Sequence, residues 1–316
     1  MKNFKYSLDN KRYHTFNYHL KSNFGCKVAK VSLNAGFTCP NRDGTKGYGG
    51  CIFCSDSGSG DFAGNVQDSL EIQFENVSQM MRSKWPNCKY IAYFQANTNT
   101  YGSLKRIKEC VHPFINKKDV VGISIATRAD CLSDEIIKYL AEVNTKTDLW
   151  VELGLQTIHD KSAAFINRGH TYKEFVEGLD KLRAHNIKVC VHIMNGLPHE
   201  TIDMMLETAK AVGKLDIQAL KIHMLYVIEN TALASIYKKD PFPMLTREEY
   251  ISLVAKQLTY IPSHIIMERL TGDGNSNDLI APLWSIRKVT ILNDIDKEMK
   301  EKDYYQGSNL RNTSQD

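Results

Sequence analysis

Three cysteines crowd into sixteen residues, in the run Cys39-Pro-Asn-Arg-Asp-Gly-Thr-Lys-Gly-Tyr-Gly-Gly-Cys51-Ile-Phe-Cys54. Thiolates on a polar, glycine-rich loop are soft ligands, and three of them can hold one iron–sulfur cluster or contribute to a zinc site. A structural zinc takes four protein ligands. No fourth cysteine lies nearby in sequence, and Cys26 or Cys88 serves only if the chain folds back. Three cysteines on a 4Fe-4S cluster leave one iron open to a further ligand. Of the other five cysteines, Cys88, Cys110, Cys131 and Cys190 are singly placed and read as buried small apolar residues. With no export signal, a disulfide framework is not expected.

A second set of reactive side chains sits on apolar runs that read as strands. In Leu149–Gln156, Leu149, Val151, Leu153 and Leu155 share one face, and Trp150, Glu152, Gly154 and Gln156 the other. Cys190, His192 and Met194 share a face of the next run, and Lys221 and His223 of the one after. Tyr93, Gln95 and Asn97 do the same earlier in the chain. Polar groups at the C-terminal ends of parallel strands are where barrel enzymes place substrate contacts.

The elements needed to position these residues recur along the chain. Apolar runs fall at 27–34, 90–96, 120–126, 149–156, 188–195, 219–227 and 264–270. Helical patterns fall between them, near 67–84, 103–116, 133–143, 171–185, 199–213 and 246–260, several behind Ser or Thr caps such as Ser133, Thr171 and Thr246. Repeated βα units predict an α/β protein with a parallel sheet, a (β/α) barrel complete or open, with a doubly wound sheet as the second reading. We divide the chain into an N-terminal extension over 1–26, a barrel core over 27–261 and a C-terminal strand and helix extension over 262–316.

Composition bounds the rest. The 316 residues are 42% hydrophobic and 24% charged, which excludes wholesale disorder. No apolar run reaches the roughly 20 residues of a membrane span, and the first residues lack a secretory apolar core, so a cytoplasmic protein is expected. The net charge of +4 is unevenly placed: residues 1–30 carry seven basic side chains against Asp9 alone. Lys5, Lys11 and Arg12 lie there among Phe4, Tyr6, Tyr13, Phe16 and Tyr18. That mixture suits a phosphate backbone and unstacked bases, or is a solvated arm whose rings pack under the domain.

The cysteine loop after the first strand resembles that of the radical SAM superfamily, although its first interval is x11 where the superfamily usually has x3. Phe53, just before the last cysteine, fits the common pattern. Downstream, Ser124–Asp130, Glu152–Thr157, Asn167–Thr171 and His192–Pro198 are similar to the radical SAM domain of the Elongator catalytic subunit, without its acetyltransferase half. The runs CPNRDG (39–44), KIHMLY (221–226), ERLTGDG (268–274) and APLW (281–284) resemble the bacterial YhcC/YtqA-type family over roughly residues 5–305.

This resemblance implies a partial (β/α)6-type barrel with a 4Fe-4S cluster on Cys39, Cys51 and Cys54, and S-adenosylmethionine (SAM) chelating the open iron. It implies SAM contacts from Gln95, Asn97, Ser124, Arg128, Glu152, Gln156, Arg168, His192 and Asn195. The arginines are the candidates for the SAM carboxylate, and Glu152 for the ribose, unless it forms a core salt bridge, for instance with Lys221. Lys221, His223 and Glu268 are left for the substrate end, with Arg269 and Asp273 beside them. The implied substrate is the anticodon loop of tRNA, at the wobble uridine, with flavodoxin or ferredoxin as electron donor. A radical SAM enzyme for a small molecule or protein, and a non-catalytic zinc-binding nucleic-acid module, are the other readings.

Overall fold

Apolar side chains at every second residue settle the strands, and Ser or Thr caps settle where most helices begin. The computed structural model describes Phe4, residues 10–58, Gly60, and residues 63–272 and 277–310. In chain order the elements are α1 (Phe16–Phe24), β1 (Val28–Leu33), α2 (Leu70–Lys84), β2 (Lys89–Phe94), α3 (Leu104–Ile115), β3 (Val120–Thr127), α4 (Asp134–Asn144), β4 (Asp148–Gln156), α5 (Asp160–Phe165) and α6 (Tyr172–Ala184). There follow β5 (Lys188–Asn195), α7 (Ile202–Val212), β6 (Ala219–Met224), β7 (Val227–Ile228), α8 (Ala232–Lys239), α9 (Arg247–Leu258), β8 (Ile266–Arg269), β9 (Leu279–Ala281) and α10 (Lys288–Glu301).

Seven strands form one sheet in the order β1-β2-β3-β4-β5-β6-β8, and β7 pairs with β9 in a separate antiparallel ribbon. The pairings β1/β2, β2/β3, β3/β4 and β6/β8 are parallel. This is the parallel (β/α) order of a partial barrel, as the sequence predicts. Among the described residues no helix is long and apolar enough to cross a membrane.

The chain divides into two compact units. One joins Leu20–Gly154 to Asn167–Cys190; the other joins Leu155–Ile166 and the chain from Val191 onward to the N-terminal residues up to His19. In the first unit, Val31, Leu33, Ile91, Ile123, Val151 and Leu153 are sealed from solvent. Ser133 caps α4, and Thr171 with Glu174 closes a capping box at the start of α6. The second unit has its own capping box, Thr246 with Glu249, on α9.

Two expectations change in detail. Strand β2 stops at Phe94, so Gln95 and Asn97 stand in the turn after it, with Asn97 in the left-handed region at φ 58°. The basic N-terminal segment is tied down within the second unit. Thr15 bridges Met267 in parallel on β8, and the Met267 N–H donates to the His14 carbonyl at 2.8 Å. Lys11 pairs with Asp296, and Arg12 lies 2.9 Å from Asp303, so α10 and its C-terminal turn partner two of the charges read as phosphate contacts. Lys5 and Tyr6 lie outside the described residues.

Helix α6 meets the segment after β3 through Gly178, where an added Cβ would be driven into the backbone carbonyl of Ala129. Replacing an interior helical glycine by alanine normally gains about 1 kcal/mol of helix propensity. Here a backbone collision of roughly 1–3 kcal/mol opposes it. Gly178→Ala is expected to lower the denaturant midpoint; a raised midpoint would show that α6 is not held this close.

Candidate active site

The cysteine loop leaves the end of β1 and is folded by its own backbone. Arg42 N–H donates to the Cys39 carbonyl at 2.8 Å, and Lys46 N–H to the Pro40 carbonyl at 2.8 Å. Asp43 and Tyr48 form an antiparallel bridge, and the Gly50 N–H returns to the Asn41 carbonyl at 2.8 Å. Cys51 and Cys54 close a turn of their own, at 2.9 Å. Gly49 and Gly50, at φ 76° and 77°, supply left-handed backbone that a side chain would resist. The excursion from residue 42 to 49 is thereby looped out, and the two ends of the x11 interval meet.

The three thiols are neighbours. A hydrogen bond with Cys54, burial and the adjacent thiols of Cys54 and Cys39 push the Cys51 thiol well up. Metal binding displaces thiol protons, so the affinity of such a loop for a cluster weakens as pH falls. The donor set fits a cluster held by three cysteines. Nδ2 of Asn41 approaches the Cys51 sulfur at 3.9 Å, the kind of N–H contact that tunes cluster ligands. Among the described residues no group of three or more His, Cys, Asp or Glu side chains is placed to hold a metal ion.

Two buried guanidinium groups accompany the loop. Arg128 donates from Nε and Nη2 to the two carboxylate oxygens of Asp130, each at 2.9 Å, and from Nη1 to the Arg168 carbonyl at 2.6 Å. Lys46, on the cysteine loop, reaches Asp130 at 2.7 Å. Burial alone would raise the Asp130 carboxyl, but Arg128 outweighs it and holds the group at about 2. Arg168 is 1% exposed and donates from Nε to the His170 carbonyl at 2.9 Å.

In the same unit Glu152 anchors a polar layer across four strands. One carboxylate oxygen takes Lys30 Nζ and Ser124 Oγ, both at 2.6 Å; the other takes the Tyr93 hydroxyl at 2.8 Å. Lys30 Nζ also stands 4.8 Å over the Tyr93 ring. Glu152 thus makes the core salt bridge that was the alternative reading, with Lys30 of β1 and not Lys221, and Ser124 joins it. Asn97 packs on Gly58, just past the cysteine loop, and its N–H donates to the Gly58 carbonyl at 3.0 Å. Cys110 and Cys131 are half-buried rather than buried, the Cys131 thiol lying 3.8 Å from Asp130.

The second unit carries the remaining residues. The His192 and His223 rings lie 5.0 Å apart, and Lys221 Nζ lies 3.4 Å from Glu268. Asn195 exchanges two amide hydrogen bonds with Gln257, each 2.9 Å, so its side chain secures the end of β5. Gln156 is held at φ 61° at the centre of a tight turn closed by Thr157 N–H on the Leu155 carbonyl. A glutamine in that region is strained. Asp273 lies outside the described residues.

The sequence names Asn167 only as the start of a resembling run, with no role of its own, and does not single out Asn99. Asn99 spans the ends of β2 and β3, with its side-chain nitrogen 3.0–3.1 Å from the carbonyls of Phe94, Ala96 and Ala126. The run 97–101 offered a polar segment but no way to rank its members.

The Radical SAM superfamily pattern matches residues 37–212, and the Radical SAM C-terminal domain residues 217–301. The chain belongs to the radical SAM superfamily, in the family that holds YtqA and YhcC. It is 52% identical to YtqA of Bacillus subtilis over 304 residues, 96% of this chain and 94% of that protein. It is 26% identical to the tRNA uridine(34) acetyltransferase of Methanocaldococcus jannaschii over 156 residues, 48% of this chain and 28% of that one. The solved structure of Elp3 from Methanocaldococcus infernus shares the fold, with a TM-score of 0.66 and 18% identity over 89% of this chain and 64% of its own.

Burial, with the charges of Arg168 and Arg128, pushes His170 down to about 4. Unfolded histidine takes its proton near 6.5. The unfolded chain therefore protonates first, and the stability His170 contributes is whole above about pH 6.5 and lost as pH falls toward 4. Between neutral pH and about pH 4, His170→Gln is expected to lose less unfolding free energy than the wild type. Equal losses in denaturant titrations would contradict this.

Proposed function

We propose that the chain binds a 4Fe-4S cluster on Cys39, Cys51 and Cys54, binds SAM at that cluster, and modifies the wobble uridine of tRNA. The carrying observation is the closed loop that gathers three thiols beside a buried arginine pair, in a chain of radical SAM descent. When bound, reduced cluster and SAM supply a 5′-deoxyadenosyl radical. The protein's part is to place and shield. Arg168, aimed by its bond to His170, is the guanidinium we assign to the SAM carboxylate. Arg128 spends three donors on Asp130 and Arg168 and acts as a fixed cation beside Cys39 and Cys51.

Glu152 and Ser124, preset by Lys30 and Tyr93, offer acceptors for ribose hydroxyls. Gln95 and Asn97, in the same unit, are assigned to SAM as well. Lys221, His223 and Glu268 are assigned to the substrate, and flavodoxin or ferredoxin to electron supply. The substrate class is supported by the relative named for uridine 34 of tRNA, which matches nearly half of this chain. The reaction proposed is conversion of carboxymethylaminomethyl-uridine to aminomethyl-uridine.

Nucleoside mass spectrometry of tRNA from cells with and without the gene tests the substrate. Loss is expected to deplete the aminomethyl form and accumulate its carboxymethylaminomethyl precursor, and a Cys54→Ala copy should not restore it. An unchanged tRNA profile, with SAM cleavage by the purified protein intact, would move the activity to a small molecule or protein.

A further inference from the structure

An x11 interval between cluster cysteines costs more loop entropy to close than an x3 interval, and its backbone groups need partners inside the protein. Most of those partners lie within the loop itself. One comes from far along the chain. The side-chain nitrogen of Asn167 donates to the Gly50 carbonyl at 2.7 Å and to the Tyr48 carbonyl at 3.2 Å, the two acceptors that flank Gly49 just before Cys51. Asn41, two residues after Cys39, donates its own carboxamide to the Asn167 carbonyl, while its backbone carbonyl accepts from Gly50.

The fit is tight on every side. A Cβ on Gly47 would strike the Asn41 side chain, and one on Gly169 would lie 2.8 Å from Asn41 Oδ1 and 3.3 Å from Arg128 Nη2. Asn167 sits at φ 53°, where asparagine is tolerated and most residues are not. Its conformation turns the carboxamide toward the loop.

We infer that Asn167 is a positioning residue for the cluster. Through two donated hydrogen bonds it fixes the Cys51 end of the loop, and through Asn41 it couples that end to Cys39, so that a widely spaced pair is presented as a narrow one would be. The inference rests on the cluster reading above. It predicts that both donors are needed before iron arrives, and that their loss spares the fold, because the rest of the loop keeps its internal bonds.

Two variants separate the donors from the backbone. Asn167→Gly keeps access to the left-handed conformation and removes the carboxamide. Asn167→Asp keeps the size and puts an acceptor where two carbonyls need a donor. Each is reconstituted anaerobically beside the wild type, and iron and sulfide per chain, the EPR signal of the reduced protein, and the rate of iron loss to a chelator are measured. Thermal unfolding of the unreconstituted proteins is recorded in parallel.

Both variants are expected to unfold near the wild-type midpoint but to hold less iron, give an altered EPR signal and release iron about 10-fold faster, as loss of an outer-shell partner does. Wild-type iron content, EPR signal and chelator resistance in Asn167→Asp would overturn the inference, whatever Asn167→Gly does. A wild-type chain that takes up no iron would overturn the cluster reading, and this inference with it.

Discussion

The site depends on closing a loop. Cys39 and Cys51 serve one cluster only if the residues between them are folded out of the way, and a polar loop of that length has many backbone groups to satisfy. The chain meets the requirement with a small bridge between Asp43 and Tyr48, left-handed glycines, and a return bond from Gly50 to Asn41. Ion pairing then secures the outside of the loop, since Lys46 shares Asp130 with Arg128. The cysteine spacing and the downstream polar motifs are in this sense one construction.

Charge follows the same logic. Arg128 and Arg168 are buried where three thiolates would gather, so the cost of desolvating two cations is offset by Asp130 and by backbone carbonyls before any ligand binds. His170 is kept neutral by its surroundings, which avoids a third positive charge beside them. Glu152 is held in place in its turn, since Lys30, Ser124 and Tyr93 donate to its two carboxylate oxygens. Both arrangements preset polar groups, which leaves little reorganisation for the moment of binding.

Much of this was legible in the sequence. The strand of Leu149, Val151, Leu153 and Leu155 forms as read, with Trp150 and Glu152 of its other face buried as well. Ser133, Thr171 and Thr246 start helices because their hydroxyls meet a free N–H, a local interaction. What escaped was long-range. Lys30 looks like one more charge in a basic segment until β1 lies two strands from Ser124. Lys11 and Arg12 give no sign of their partners Asp296 and Asp303, which come from nearly 300 residues away. Asn97 seems to continue an alternation that ends at Phe94, since period alone does not mark where hydrogen bonding stops. The short ribbon of β7 and β9 has too few residues to show any period.

The central claim is that three thiols on one closed loop leave an iron for SAM. Low-temperature EPR of the anaerobically reconstituted, dithionite-reduced protein, recorded before and after adding SAM, tests it most directly. The account predicts a 4Fe-4S signal whose g-values shift on addition of SAM, and no such signal once Cys51 is replaced by alanine. A cluster signal indifferent to SAM, or one that survives loss of Cys51, would contradict it.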